Sequence, residues 1–263
     1  MSKSITEVDS LIDWLTIKTE ITRYSDGALC TIEDRIVREG RANIYVNGKL
    51  LISLMYTPQH NEELAAGYLF SEGLIKSLQD IIGIKINNGD IFVSLHETTR
   101  QEHSGRLRST AGGSGFADTN SQTLPKAAST LRLRPKDITD LMEKFSNRSD
   151  LFKKTGAVHS CALEFPGGSL FFEDVGRHNA IDKIVGAAVL QNIDPRDAIL
   201  IISGRVSSEI MIKTAKLGVS VILSRASPMD AAVTMARSLN ITLAGFARGT
   251  RFNIYSGSFR VAD

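Results

Sequence analysis

The chain has 263 residues, with 31 lysine and arginine residues against 29 aspartate and glutamate residues and a formal net charge of +2. Such a balanced charge excludes a strong general attraction to nucleic acid or anionic lipid, and the two distant cysteines, Cys30 and Cys161, argue against a disulfide framework or a structural zinc site. The sequence contains no apolar run of membrane-spanning length, and its first twenty residues lack the pattern of a secretory signal. We therefore expect a cytoplasmic protein with no nucleic-acid and no membrane partner.

The front part of the chain, residues 1–130, is predicted to be a β-rich domain. Two pairs of apolar runs are each separated by a turn signal that favours a hairpin. These runs and turns are 42–46, Asn47-Gly48 and 50–56, then 81–86, 87–90 and 91–95. A helix is predicted between the hairpins, with Asn61 as its N-cap and Gly73 at its end. We expect a sheet of at least four strands with this helix packed against it.

Residues 96–130 are small and polar and lack a sustained period, which favours a long, mobile surface segment. The segment contains a glycine-rich turn, Ala111-Gly112-Gly113-Ser114-Gly115. Glycine at these positions permits positive φ angles, so the turn could cover a bound ligand; the alternative is a plain flexible linker. A connecting helix from Pro135 to Phe145 then leads into the back part.

The back part, residues 131–263, is predicted to be an α/β domain. Short apolar strands alternate with helices, a pattern typical of a parallel or mostly parallel sheet with helices on both faces, a three-layer α/β/α arrangement. The predicted strands are 157–163, 169–172, 198–202, 219–223, 241–246 and 252–255, and the predicted helices are 179–190, 208–217 and 229–239.

Four of these strands are followed by an arginine beside glycine or serine. Ligands in open α/β sheets bind beyond the carboxyl ends of the strands, and guanidinium groups bind phosphates in a bidentate manner. The polar residues at the four ends are Asp174, Arg177 and His178; Ser203, Gly204 and Arg205; Ser224 and Arg225; and Arg248, Gly249, Thr250 and Arg251. We predict a site for a phosphate-bearing ligand at this edge; the alternative is a set of ordinary surface ion pairs.

The polar residues after the first of these strands have two interpretations. Asp174, His178, Asn179 and Asp182 could form part of a site, or His178 could cap a helix while Asp182 and Lys183 form a solvated face. Zinc deaminase chemistry is excluded, because no Pro-Cys-x-x-Cys pair accompanies His60-x-Glu62. A Walker-type phosphate loop is also absent from the sequence, so we expect no metal site and a bound phosphate that is held and not cleaved.

Several segments together resemble the formate dehydrogenase accessory protein (FdhD) family. They are 173–183 (EDVGRHNAIDK), 203–205 (SGR), 227–228 (SP) and 245–255 (GFARGTRFNIY) in the back part, and 46–48 (VNG), 57–58 (TP) and 64–75 (LAAGYLFSEGLI) in the front part. The likeness therefore extends over nearly the whole chain.

This resemblance implies a cytoplasmic homodimer that takes persulfide sulfur from a cysteine desulfurase and delivers it to the bis-molybdopterin guanine dinucleotide cofactor of apo formate dehydrogenase. It also implies a back domain of the cytidine-deaminase-like fold without zinc, and a site for the molybdenum cofactor or for GDP. The cofactor-binding residues carried over by motif are Phe246, Ala247, Arg248, Gly249, Thr250 and Arg251, with Asp174, Arg177, His178, Ser203, Gly204 and Arg205 added by proximity.

The glycine-rich turn departs from the family pattern. Members that transfer sulfur carry Cys-Gly-x-Cys-Gly there, so Ala111 and Ser114 occupy the two catalytic cysteine positions. Sulfur carriage requires a thiolate, which neither residue provides, and Cys161 lies in a predicted strand as a packing residue. Two functions remain open: sulfur transfer through Cys161 or an unseen route, or a non-catalytic chaperone or scaffold that binds the cofactor.

Overall fold

The structure of the protein, a computed structural model, describes residues 5–96, 107–108, 114–115 and 124–262. It begins with elements that the sequence pattern did not predict: α1 (Ile5–Leu15), β1 (Thr16–Ser25) and β2 (Ala28–Val37). The strands β1 and β2 form a two-stranded antiparallel ribbon, closed by Asp26 and Gly27 at φ angles of 53° and 82°. Both turn residues are therefore left-handed, as a tight hairpin turn requires.

The front sheet contains the two predicted hairpins, which are confirmed. Its strands are β3 (Gly40–Val46), β4 (Lys49–Tyr56), β5 (Ile81–Asn87) and β6 (Asp90–Leu95), in the order β4-β3-β6-β5, with α2 (Asn61–Ser71) between the hairpins in sequence. Asn47 and Gly48 have φ angles of 47° and 79°, which match the right-handed twist of the flanking strands. The N-cap of α2 is His60 in a left-handed conformation and not Asn61, so that detail of the prediction is wrong.

The predicted long, mobile segment falls largely outside the described residues. Within it the structure describes two short strands, β7 (Leu107–Arg108) and β8 (Ser114–Gly115), which pair antiparallel. Ala111 lies outside the described residues.

The back part is built on a six-stranded sheet in the order β10-β9-β11-β12-β13-β14. Helices and strands alternate along the chain much as predicted. They are α3 (Pro135–Asn147), α4 (Asp150–Thr155), β9 (His159–Phe165), β10 (Gly168–Asp174), α5 (Arg177–Leu190), β11 (Ile199–Ile202), α6 (Ser208–Leu217), β12 (Val221–Ser224), α7 (Asp230–Ser238), β13 (Thr242–Arg248) and β14 (Arg251–Ser256).

The prediction of a mostly parallel sheet is wrong. Only β11 with β12 and β12 with β13 are parallel pairs, whereas the other three neighbouring pairs are antiparallel. The reason lies in the connections: α6 and α7 return the chain for parallel pairing, while short turns join β9 to β10 and β13 to β14 and reverse its direction. Gly167 and Gly249, with φ angles of 93° and 56°, lie in these two turns.

Both faces of the six-stranded sheet are covered, which confirms the three-layer prediction. Along β11, Leu200 and Ile202 belong to the core shared with α5, α6 and α7, whereas Ile199 and Ile201 belong to the core shared with α3. This alternation follows from the two-residue period of a strand. The fold is thus a mixed α/β fold. No helix among the described residues is long and apolar enough to span a membrane.

The front and back parts meet where α2 crosses α5. The backbones approach so closely that a Cβ on Gly67 would lie 1.7 Å from the carbonyl oxygen of Asp182, and a Cβ on Gly186 would lie 1.9 Å from that of Glu63. Only glycine fits at these two positions. The division into domains 1–130 and 131–263 stays a prediction. The helix α2 of the front part and the helix α5 of the back part pack directly against each other.

Candidate functional site

Three of the four predicted strand ends converge at the carboxyl edge of β11, β12 and β13. The Ser224 hydroxyl donates to the Gly204 carbonyl at 2.8 Å, and the Arg225 amide donates to the Ile202 carbonyl at 3.1 Å. Arg248 Nε donates to the Arg225 carbonyl at 2.9 Å. Since these bonds link loops that are distant in sequence, the edge is a connected surface.

The fourth strand end reaches the same surface through Arg177, at the start of α5. An ideal Cβ on Gly204 would lie 3.4 Å from Arg177 Cδ and 3.5 Å from His159 Nδ1, so all three residues are in contact range. The loop that carries Gly204 is tied to β9 because the Ser203 amide donates to the Ser160 carbonyl, and the Ser160 amide to the Ser203 hydroxyl, both at 3.0 Å. The loop is therefore held beside His159 and Arg177.

Phe246 has an unusual backbone conformation at this edge. Its φ is 52°, a left-handed value that is costly for a bulky residue, and the residue is 40% exposed. Its amide donates to the Ala226 carbonyl at 3.0 Å, where the pairing of β13 with β14 is irregular. Glycine is needed at the preceding position, Gly245, because a Cβ there would lie only 2.9 Å from Cδ of Pro228. Backbone strain of this kind concentrates at functional sites.

The residues that follow Phe246 separate into inward and outward positions. Ala247 is buried in the core shared with α3, so its side chain does not face the edge. Arg248 and Arg251 are exposed and lie opposite each other in the hairpin, on either side of the exposed turn at Gly249 and Thr250.

Positive charge predominates where Arg177, Arg205 and His159 lie. Burial and then the nearby Arg205 lower the pKa of the Arg177 guanidinium, whereas the Glu209 carboxylate raises it. Burial and Arg177 also lower the pKa of His159, which Asp174 raises and Arg205 lowers again. An anion placed here would relieve the repulsion among these groups.

His178 is buried behind this surface in its neutral form. Its Nε2 lies 2.9 Å from an Oε2 of Glu209, which by itself favours the charged imidazolium. Burial, together with the positive charges of Lys213 and Arg177, outweighs that single carboxylate and lowers the pKa of His178 to about 3. His178 therefore supports the site from behind as an uncharged group.

Asp174 was predicted to contact the cofactor, but its side chain is 0% exposed. Its Oδ2 accepts from Lys183 Nζ at 2.6 Å and from the Thr57 amide at 3.1 Å. Its Oδ1 accepts from the Gly176 amide at 2.8 Å and from Asn179 Nδ2 at 3.0 Å. These contacts place Asp174 in the frame beneath the site, where it joins β10 and α5 to the loop after β4.

The alternative of a solvated face at Asp182 and Lys183 is wrong, because both side chains are buried. Asp182 accepts from Lys213 Nζ at 2.7 and 2.6 Å through its two oxygens, and from the Ser71 hydroxyl at 2.8 Å. This second buried ion pair lies at the junction of α2, α5 and α6.

The Cys161 thiol lacks the exposure and the accessible thiolate that sulfur chemistry requires. Cys161 is 0% exposed in β9, and burial raises the pKa of its thiol well above the ordinary value, which confirms the prediction of a packing residue. Cys30 is exposed on β2. Ser114 lies in β8, and Ala111 lies outside the described residues. No group of three potential metal ligands occurs within the described part of the chain.

Sequence reasoning missed His159 and Glu209 as neighbours of the site. His159 stands at the first position of a strand, where neither its spacing nor its surroundings in sequence suggest contact with Gly204, 45 residues later. The contact arises from the antiparallel register that places β9 beside β11.

Comparison with known proteins assigns the chain to a protein family. The model of the FdhD/NarQ family matches residues 37–262. The chain therefore belongs to the FdhD/NarQ family, as the motifs indicated.

Individual relatives agree with this assignment. The chain is 35% identical over 260 residues to a Bacillus subtilis (strain 168) protein named sulfur carrier protein FdhD, covering 95% of this chain and 99% of the relative. It is 39% identical over 252 residues to the protein of the same name from Staphylococcus haemolyticus (strain JCSC1435), covering 92% and 95% respectively. A crystal structure from Desulfotalea psychrophila, provisionally described as a formate dehydrogenase accessory protein, aligns with a TM-score of 0.80 and 26% identity over 94% of this chain and 100% of that one.

Proposed function

We propose that this protein is an accessory protein of formate dehydrogenase maturation that binds the bis-molybdopterin guanine dinucleotide cofactor as its cargo. The names of the relatives support the pathway, and the convergence of arginines from four strand ends on one sheet edge supports the cargo. Each half of the cofactor ends in a guanosine diphosphate, which offers an aromatic base and two phosphates. GDP is therefore the smallest probe of the site.

The side chains at this edge of the sheet are of the types that bind a guanine base and two phosphates. The exposed ring of Phe246 offers an apolar face on which a base can stack. Arg248 and Arg251 offer guanidinium groups for phosphate, and the bond from Arg248 Nε to the Arg225 carbonyl leaves the two terminal nitrogens of Arg248 for a ligand. Gly249, between them, allows close approach of the backbone.

Two functions remain for the sulfur step, and one observation favours the second. In the first, the protein itself carries sulfur, which requires a thiolate to attack a persulfide donor and retain its outer sulfur atom. In the second, the protein binds and presents the cofactor without a persulfide of its own. The burial of Cys161 and the raised pKa of its thiol favour the second function.

The family resemblance supplies the remaining parts of the proposal. The partners are a cysteine desulfurase and apo formate dehydrogenase, the protein acts as a homodimer in the cytoplasm, and the back domain has the cytidine-deaminase-like fold. These statements rest on family membership and not on contacts described above.

Calorimetric titration with GDP tests the cargo. We expect binding by the wild type and a loss of about tenfold or more in affinity for Arg248→Ala and for Arg251→Ala, since each removes a charge-assisted contact. Arg196→Ala is the matched control, because Arg196 is an exposed arginine before β11, at the opposite edge of the sheet, and pairs with Asp194. Absence of GDP binding, or equal affinities for all four proteins, contradicts the proposal.

Transfer of labelled sulfur from a desulfurase tests the second function. We expect no persulfide on the wild type, and sulfur loading after the double change Ala111→Cys with Ser114→Cys. Label that stays on the wild type and disappears in Cys161→Ser would instead establish sulfur carriage by this chain.

A further inference from the structure

Glu209 lies in the first turn of α6, next to the strand-end edge. The helix begins at Ser208, and the hydroxyl of its N-cap residue, Ser207, accepts from the Ile210 amide at 3.4 Å. This first turn follows directly on the loop that carries Gly204. The Glu209 side chain is 22% exposed, so its carboxylate is in partial contact with solvent beside that loop.

The carboxylate of Glu209 faces the first two residues of α5. Its Oε2 lies 2.9 Å from Nε2 of His178, which follows Arg177 in the chain. Burial and Arg205 lower the pKa of the Arg177 guanidinium, and the negative charge of Glu209 raises it. Arg177 in turn lies beside Gly204, where an ideal Cβ would be 3.4 Å from Arg177 Cδ. The protein therefore places a carboxylate of its own next to an arginine of the proposed anion site.

The two other basic side chains near this carboxylate are neutral or bound elsewhere. His178 is neutral, because burial and the positive charges of Lys213 and Arg177 lower its pKa to about 3. The Lys213 ammonium donates to both carboxylate oxygens of Asp182, at 2.7 and 2.6 Å. Among these three groups, Arg177 is thus the cation whose charge Glu209 offsets.

We infer that Glu209 is an internal counter-anion of this site: its carboxylate offsets the charge of Arg177 in the free protein, and a phosphate of the cargo takes over that role on binding. This inference rests on the proposed function and adds to it a residue that opposes binding. A carboxylate and a phosphate that share one guanidinium repel each other, so Glu209 lowers the affinity for the cargo. Lower affinity favours release of a cargo that is passed on to another protein.

A carboxylate that only held Arg177 in position would have the opposite effect. Removal of such a carboxylate leaves the guanidinium less well oriented and weakens phosphate binding. Removal of a competing carboxylate strengthens phosphate binding, because the guanidinium no longer has to exchange one anion for another. The direction of the change in affinity therefore distinguishes the two roles.

Calorimetric titration with GDP measures this direction. We expect Glu209→Gln to bind GDP about 3- to 10-fold more tightly than the wild type, because it removes one negative charge from a partly exposed position where solvent screens the repulsion. Glu143→Gln is the matched control, because it removes the same charge from an exposed position on α3 and should bind GDP as the wild type does.

A double-mutant cycle with Arg177→Ala tests whether the effect depends on this arginine. Without the guanidinium, the carboxylate and the phosphate no longer compete for one partner, so Glu209→Gln should gain less than about twofold in affinity in the Arg177→Ala background. A gain of equal size in both backgrounds overturns the competition for Arg177.

The outcomes separate this inference from the proposed function. If none of the proteins binds GDP, both fail. If the wild type binds GDP and Glu209→Gln binds it equally well or more weakly, the inference fails and the proposed function stands. If Glu209→Gln does not fold, Glu209→Ala removes the same carboxylate, and its affinity for GDP decides in the same way.

Discussion

The close crossing of α2 and α5 leads us to expect a large effect from a single added methyl group. In Gly186→Ala, the new Cβ would lie 1.9 Å from the Glu63 carbonyl oxygen and 2.7 Å from the Gly67 amide, whereas an ordinary contact is 3.4 Å or more. The helices α2 and α5 would have to separate by about 1 Å or more, which opens the tightly packed interface. We expect an overpacking cost of about 3 kcal/mol or more, offset by about 1 kcal/mol from the better helix propensity of alanine.

Urea unfolding of the whole chain measures this difference. The net expectation is a loss of about 2 kcal/mol or more in the free energy of unfolding. Gly83→Ala in β5 is the matched control, because no atom lies within 4 Å of a Cβ placed there and its φ is not positive, so it should stay within about 0.5 kcal/mol of the wild type. A Gly186→Ala protein as stable as the control would refute the reasoning that this crossing is close-packed.

Three further predictions concern buried groups. The imidazole NMR signals of His178 should not titrate between about pH 8 and pH 5, because the pKa of His178 in the folded protein is about 3. The unfolded chain, with a pKa of 6.5 for this group, binds the proton first, so the free energy of unfolding should fall with falling pH by up to about 1.4 kcal/mol per pH unit. The variant His178→Gln should lack this pH dependence. Of the two thiols, Cys30 should react quickly with a thiol reagent in the native protein, while Cys161 should react only on unfolding; rapid modification of both would contradict the burial of Cys161. Asp174→Asn and Lys183→Met should each lower the free energy of unfolding by about 3–5 kcal/mol, because each leaves a buried partner unpaired. The double variant should lose less stability than the two single variants added together. Additive losses in this double-mutant cycle would contradict the pairing of Asp174 with Lys183.

Much of the fold was predictable where the local signals were strong. The turn at Asn47-Gly48 and the alternation of apolar strands with helices in residues 198–255 each combine turn chemistry with a clear period, and both predictions are confirmed. The ribbon of β1 and β2 was not predicted because polar and charged residues interrupt its apolar positions, so its alternation is weak. The direction of strand pairing also escaped prediction, since it depends on which strands become neighbours.

The candidate site was predictable in its location more than in its composition. The rule that ligands bind beyond strand ends placed Arg205, Arg225 and Arg248 on one edge, and hydrogen bonds between their loops connect that edge. The rule could not indicate the inward direction of Ala247 or the presence of His159, because both depend on side-chain direction and register. A high density of polar residues in the sequence also could not show whether those residues form buried ion pairs or line a ligand site.

The segment 173–183 shows why that separation matters for function. Asp174, Asn179 and Lys183 face inward, where they bind one another and the chain after β4, while Arg177 lies on the opposite side of the first turn of α5, beside Gly204. One short motif therefore contributes both to the joint between the two sheets and to the proposed anion site. Because the Asp174 side chain is buried and does not face the strand-end edge, a change at Asp174 should weaken GDP binding only through a loss of stability. A change at Arg177, which lies beside Gly204, should weaken binding in a fully folded protein.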